Sequence, residues 1–89
     1  MADEDAGQHR TAAVHDLDAR SLLCPLPVIR TQDRVSGLRP GERLRVRCTD
    51  PGTESDIPAW CRINGHRIIG IERGRDEIAI TLEVGGGSS

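Results

Sequence analysis

The chain has 89 residues, of which 29% are charged and 36% hydrophobic, enough for one small domain and too few for two. That balance excludes a disordered chain, and the apolar runs are too short to span a bilayer. Net charge is −2, which gives no support for non-specific nucleic-acid binding, and all 12 basic residues are Arg, which excludes side-chain Schiff-base chemistry.

Residues 1–13 lack hydrophobic periodicity and are expected to form a mobile arm. The start, MADEDAGQHR, has neither a basic nor an apolar stretch of the kind a secretory signal carries, so a cytoplasmic location is expected. A single domain is expected over 14–84, with GGGSS at 85–89 as a flexible tail.

A first strand is expected over Val14–Asp18, with Leu17 facing inward. Pro25 and Pro27 suit a first helical turn, where a missing N–H costs nothing. Val28, Ile29, Gln32, Val35 and Leu38 follow at helical spacing, so a helix is expected from Pro25 to Ser36, with Gly37 as its C-cap. Arg43–Cys48 alternates strictly: Leu44, Val46 and Cys48 face one way and three arginines the other, the pattern of a half-wet strand. Asp50-Pro51-Gly52 is a turn signal, and Thr53 with Asp56 resembles a capping box.

Ile57, Trp60, Cys61 and Asn64 share a face of a second helix, Glu54–Asn64, closed by Gly65. A third strand is expected over His66–Glu72 with Ile69 and Ile71 inward, then a tight turn at Arg73-Gly74-Arg75. Glu77–Val84 alternates again, with Ile78, Ile80, Leu82 and Val84 inward. The order β-α-β-α-β-β describes an α+β fold: a two-layer sandwich of a four-stranded mixed sheet with two helices on one face. Cross-strand pairs between the Arg stripe and Glu77 and Glu83 are expected on the other face.

Three cysteines, an odd number without a CxxC pair, do not read as a disulfide framework. Cys24 stands at a helix start, where the dipole and free N–H groups stabilise a thiolate, and the Leu26 and Val28 N–H groups are candidate donors to its sulfur. Without a histidine in a hydrolase arrangement or a second cysteine at dithiol spacing, two chemistries remain for an activated sulfur: carrying a sulfur atom or sensing oxidation. A purely structural cap is the third reading of Cys24.

Cys48 and Cys61 read as buried, inert thiols. Cys24, Cys48, Cys61 and His66 match no common zinc spacing, so no metal and no organic cofactor is expected. His66 reads as a partner of the helix-end carbonyls and Trp60 as a core anchor. Arg43, Arg45 and Arg47 read as a solvated face, with an alternative role as a contact surface for a regulatory or binding module.

The segments Leu17-Asp18, Leu23-Cys24-Pro25-Leu26-Pro27-Val28, Asp50-Pro51-Gly52, Asp56-Ile57-Pro58-Ala59-Trp60-Cys61 and Gly65-His66 resemble the TusA/SirA family of small sulfur carriers over about residues 15–84. The resemblance implies a fold similar to the C-terminal domain of translation initiation factor three. It implies that Cys24 of the CPxP motif accepts sulfane sulfur as a persulfide, making the chain a sulfurtransferase-type carrier rather than a stand-alone turnover enzyme. The implied partners are a cysteine desulfurase or rhodanese-like protein as donor and a relay protein as acceptor. The chain would act as a monomer, with no direct nucleic-acid or membrane contact. The family's end uses are tRNA thiolation, cofactor biosynthesis and sulfur oxidation. Only Cys24 is carried over as a reacting residue; Asp56 and Trp60 are assigned structural roles. Where many relatives have basic residues after the CPxP start, this chain has Gln32 and Asp33, with Arg30 and Arg34 as substitutes.

Overall fold

The computed structural model describes residues 14–85. The expected arm and residues 86–89 of the expected tail lie outside the described residues. Gly85, assigned to that tail, belongs to the fold: its N–H donates to His66 Nδ1 at 3.0 Å.

The described elements are β1 (Val14–Ala19), α1 (Leu26–Val35), β2 (Arg43–Cys48), α2 (Thr53–Asn64), β3 (Arg67–Arg73) and β4 (Ile78–Glu83). The sheet runs β1-β2-β4-β3. β1 pairs parallel with β2, and β4 pairs antiparallel with both β2 and β3. This mixed sheet with two helices is the architecture expected from the sequence.

The alternation of β2 sets the two faces. Leu44, Val46 and Cys48 are fully buried, and their partners across β4 are Leu82, Ile80 and Ile78. Leu17 and Ala19 of β1 extend this face opposite Val46 and Cys48. α1 packs over β1 and β2, and α2 over β3 and β4, closing the core with Val35, Ile57 and Cys61. Side chains alternate in direction along a strand, so one apolar register is enough to place both helices on the same side.

Several local expectations are corrected. The buried stripe of α1 is Pro27, Thr31 and Val35, spaced at i, i+4 and i+8. Ile29 and Gln32, which the helical spacing grouped with Val35, are exposed, Ile29 by 51%. The stripe follows Pro27 because Thr31, although polar, satisfies its hydroxyl by donating to the Pro27 carbonyl at 2.7 Å. Gly37 is not a left-handed cap. Ser36 ends the helix in right-handed geometry, and the Gly37 and Leu38 N–H groups bond the carbonyls of Arg34 and Val35 in a tightened last turn. Gly65, in contrast, takes the left-handed conformation (φ 83°) that ends α2, as its position after Asn64 requires.

β3 carries an irregularity between Ile68 and Gly70. The slip brings Ile68 and Ile71 onto the core and leaves Ile69 exposed, which reverses the expected placement of Ile69. The connection to β4 is longer than a tight turn, spanning 74–77 with the Gly74 N–H bonded to the Glu77 carbonyl.

On the outer face the arginines do not pair as expected. Arg67 takes Glu83 at 2.8 Å, Arg20 approaches Glu77 at 3.6 Å, and Arg45 approaches Glu72 at 3.6 Å. The helix start that positions α2 also departs from the expected capping box. The N-cap is Gly52, without a side-chain cap bond, and Thr53 is the first helical residue, fully buried. Its hydroxyl lies 2.6 Å from the Asp50 carbonyl oxygen and 3.0 Å from Cys48 Sγ. Asp56 is thereby left without a capping role.

Candidate functional site

The site is built where the ends of β1 and β2 deliver two loops to the same place. The first loop leaves β1 through Ser21, whose backbone takes a left-handed φ of 70°, uncommon for a residue with a Cβ. The Ser21 N–H donates to Thr49 Oγ1 at 2.9 Å, which ties this loop to the one after β2. Two residues beyond Leu22 the chain reaches Cys24, joined to Pro25 by a cis peptide bond.

Asp50 holds the second loop and the first together. Its Oδ1 accepts the Gly52 N–H at 3.0 Å, and its Oδ2 accepts the Cys24 N–H at 3.0 Å. These two bonds hold the Asp50 carboxyl below its usual range. The sulfur itself faces α2: Cys24 Sγ donates to Asp56 Oδ2 at 3.1 Å.

This geometry overturns the expected electrostatics of the sulfur. The thiol is exposed, as expected, but it is pushed above the ordinary thiol range rather than below it. The hydrogen bond to Asp56 is the leading cause, followed by partial loss of water and the negative charges of Asp56 and Asp50. A carboxylate acceptor favours the protonated sulfur. Among the described residues no N–H group bonds the sulfur, so the helix start offers it no donor. Pro25 is the N-cap residue, so Cys24 lies one position outside the helix. Pro25 and Pro27 have no N–H to offer, Leu26 N–H bonds the Leu23 carbonyl, and Val28 and Ile29 N–H both bond the Pro25 carbonyl. Both candidate donors named from the sequence are therefore committed to the backbone.

The other two thiols are placed as expected. Cys48 is 0% and Cys61 1% exposed, and burial pushes both above the ordinary range, Cys61 to about 11. Cys24 is brought together with neither; its titratable neighbours are Asp50 and Asp56. Trp60 is only partly buried, packing at the rim of the core with its ring centroid 5.0 Å from that of His66. The His66 side chain does not reach the helix-end carbonyls. Its backbone N–H bonds the Cys61 carbonyl, and its ring accepts from Gly85. Arg34 is committed to the fold through a 2.9 Å bond to the Asp16 carbonyl, whereas Arg30 lines an open cavity of about 440 Å³ with Asp18, Arg20, Thr49 and Glu77.

Asp56 is the residue that sequence reasoning missed. Its signal was present in the match of Asp56-Ile57-Pro58-Ala59-Trp60-Cys61 to a second family motif, but spacing from Thr53 offered a sufficient local explanation. Only the approach of two loops across 32 positions of sequence places its carboxylate on the sulfur.

Comparison with known proteins finds similar chains both by sequence and by fold. YrkF of Bacillus subtilis (strain 168), named as a candidate sulfur carrier protein, is 37% identical over 70 residues, covering 79% of this chain and 38% of YrkF. The chain thus spans well under half of that relative's length. The sulfur carrier protein TusA of Pseudomonas aeruginosa (strain LESB58) is 45% identical over 53 residues, covering 60% of this chain and 67% of that protein. A SirA-like protein from Desulfitobacterium hafniense, solved by crystallography, superposes with a TM-score of 0.64 at 20% identity, covering 81% of this chain and 97% of its own, and supports the fold alone. The family model for sulfurtransferase TusA matches residues 15–84, from His15 in β1 to Val84 just beyond β4, and the chain belongs to that family.

Proposed function

We propose that this chain carries sulfur as a persulfide on Cys24, accepting it from a protein donor and passing it to a protein acceptor in a cytoplasmic relay. The observation that carries the reading is the contrast among the three thiols: Cys24 is exposed at the junction of two loops, and Cys48 and Cys61 are sealed in the core. The flanking surface supports a macromolecular partner. Leu23 (70% exposed), Leu26 and Ile29 lie within the segment that bears the sulfur, and exposed apolar side chains gathered on one segment favour a protein contact.

In the transfer, Cys24 Sγ attacks the outer sulfur of the donor's persulfide. The donor's S–S bond breaks as the new one forms, the donor sulfur leaves as a thiol, and the Cys24 proton is the one to be moved. Delivery reverses these roles: the acceptor's nucleophile takes the outer sulfur and Cys24 leaves as the thiol. The sulfane sulfur is substrate throughout, and the protein's part is to present Sγ and to govern its proton.

The binding-module alternative draws on the Arg face. Of that stripe Arg45 approaches Glu72, and Glu77 and Glu83 pair with the neighbouring Arg20 and Arg67. Exposed pairs of this kind are worth roughly 0–1 kcal/mol each, and they lower the net positive field an acidic partner would meet.

Incubation with glutathione persulfide, followed by intact mass and peptide mapping, tests the carrier reading. The expected product gains one sulfur atom on the peptide containing Cys24. Cys24→Ser removes the gain, and sulfur confined to the Cys61 peptide would overturn the assignment.

A further inference from the structure

We propose that Asp56 is the proton-transfer residue of Cys24: its carboxylate relays the thiol proton to the departing donor sulfur when sulfur is loaded, and relays a proton from the acceptor back to Sγ when sulfur is delivered. This deepens the carrier reading and rests on it.

Three observations converge on Asp56. Its Oδ2 accepts the Cys24 S–H at 3.1 Å, within reach for direct proton transfer and in contact with the reacting atom. Its side chain has no role in capping α2, since the N-cap carries no side-chain bond and the Asp56 N–H is already met by the Gly52 carbonyl. The neighbouring carboxylate is occupied differently: both Asp50 oxygens are spent on backbone N–H groups, one of them that of Cys24 itself. The two acids therefore divide the work. Asp50 positions the backbone that carries the sulfur, and Asp56 faces the proton.

The step balances without any further reagent. On loading, the Cys24 S–H bond breaks toward Asp56 Oδ2, Sγ bonds the donor's outer sulfur, and the donor's S–S bond breaks. The proton then passes from Asp56 to the departing donor thiolate. No net oxidation occurs, because one S–S bond replaces another. The carboxylate also explains why an exposed sulfur is kept protonated: among the described residues the charged groups that act on it are Asp56 and Asp50, both anionic. A thiol held in this form reacts slowly with stray electrophiles, because the thiolate is the nucleophile. Its activation is tied to a donor whose leaving sulfur can accept the proton.

The test separates proton transfer from mere packing by two reactions that should move in opposite directions. Asp56→Asn keeps the shape and removes the charge. Near about pH 7, alkylation of Cys24 by iodoacetamide is expected to speed up several-fold, because the thiolate is no longer opposed. Loading from glutathione persulfide is expected to slow by at least about tenfold, short of the roughly 100-fold low end of general acid–base effects because the freed thiolate offsets part of the loss. The ratio of wild-type to variant loading, in which the donor's own titration cancels, should shrink as pH rises and the variant forms thiolate unaided. Asp56→Glu should recover part of the loading rate and provides a second readout if Asp56→Asn folds poorly. Loading at the wild-type rate in a folded Asp56→Asn, or a parallel fall in both reactions, overturns the role of Asp56 and leaves the carrier reading standing. A wild-type protein whose Cys24 alkylates but takes no sulfur overturns the carrier reading itself.

Discussion

Cys24 and Cys61 bear the same functional group, and both are pushed above the ordinary thiol range, yet for opposite reasons. Cys61 is surrounded by core side chains, and lost solvation alone raises it. Cys24 is exposed, and an adjacent carboxylate raises it. The first perturbation is permanent, since only unfolding restores water to the sulfur. The second is removable, because a proton or a partner's charge at Asp56 cancels it without moving the backbone. A thiol can thus be quiet in the resting protein either because nothing reaches it or because its proton is held, and only the second kind is available for transfer.

The most severe way to break this comparison is Cys24→Ser. It should abolish both sulfur loading and native-state alkylation, read by intact mass, while Cys48→Ala and Cys61→Ala retain both. In the wild-type protein, alkylation of Cys24 should still be accelerating above about pH 8.5, the ordinary thiol value, because its titration lies higher. A plateau near or below that pH would contradict the effect of Asp56.

The buried side is tested by stability. Cys61→Ser places a hydroxyl among apolar neighbours and should cost about 1–3 kcal/mol in urea unfolding. Cys48→Ser should cost less, because the Thr53 hydroxyl and the Ile78 carbonyl already lie at hydrogen-bonding distance from that sulfur. Equal losses at the two positions would contradict the difference in their surroundings.

Gly65→Ala should cost about 1 kcal/mol through its left-handed backbone while leaving sulfur loading intact. A loss of loading would connect the far end of α2 to the site. The smallest effect concerns His66, held below its ordinary value by burial. Its stabilisation is complete above the unfolded value of about 6.5 and declines as pH falls through it, because the unfolded chain takes up the proton first. The urea midpoint should therefore fall slightly on acidification below about pH 6.5, and His66→Gln should remove that component of the decline.

The elements were legible because their signals are local and repeated. β2 announces its faces through Leu44, Val46 and Cys48 alternating with Arg43, Arg45 and Arg47, and its limits agree with the expectation at both ends. The errors fall where one residue decides between two registers. At β3 the slip between Ile68 and Gly70 exchanges the faces of two isoleucines, and no periodicity reveals it. In α1 the buried stripe includes Thr31, which hydropathy alone assigns outward and the bond to Pro27 draws in. The outer-face pairings moved for a similar reason: Arg20 and Arg67 reached Glu77 and Glu83 first, and neither belongs to the alternating stripe.

By itself the sequence determined the order of strands and helices, the inward face of β2 and β4, the burial of Cys48 and Cys61, and the choice of Cys24 as the exposed sulfur. These follow from periodicity and from proline and glycine punctuation, which act over a few residues. The charge state of that sulfur was decided only by tertiary structure. Sequence placed Cys24 near a helix start and so pointed to a thiolate. The fold occupied the nearby N–H groups and brought Asp50 and Asp56 from the far side of β2. Electrostatic energy depends on distance in space, and neither carboxylate is a sequence neighbour of the atom it controls.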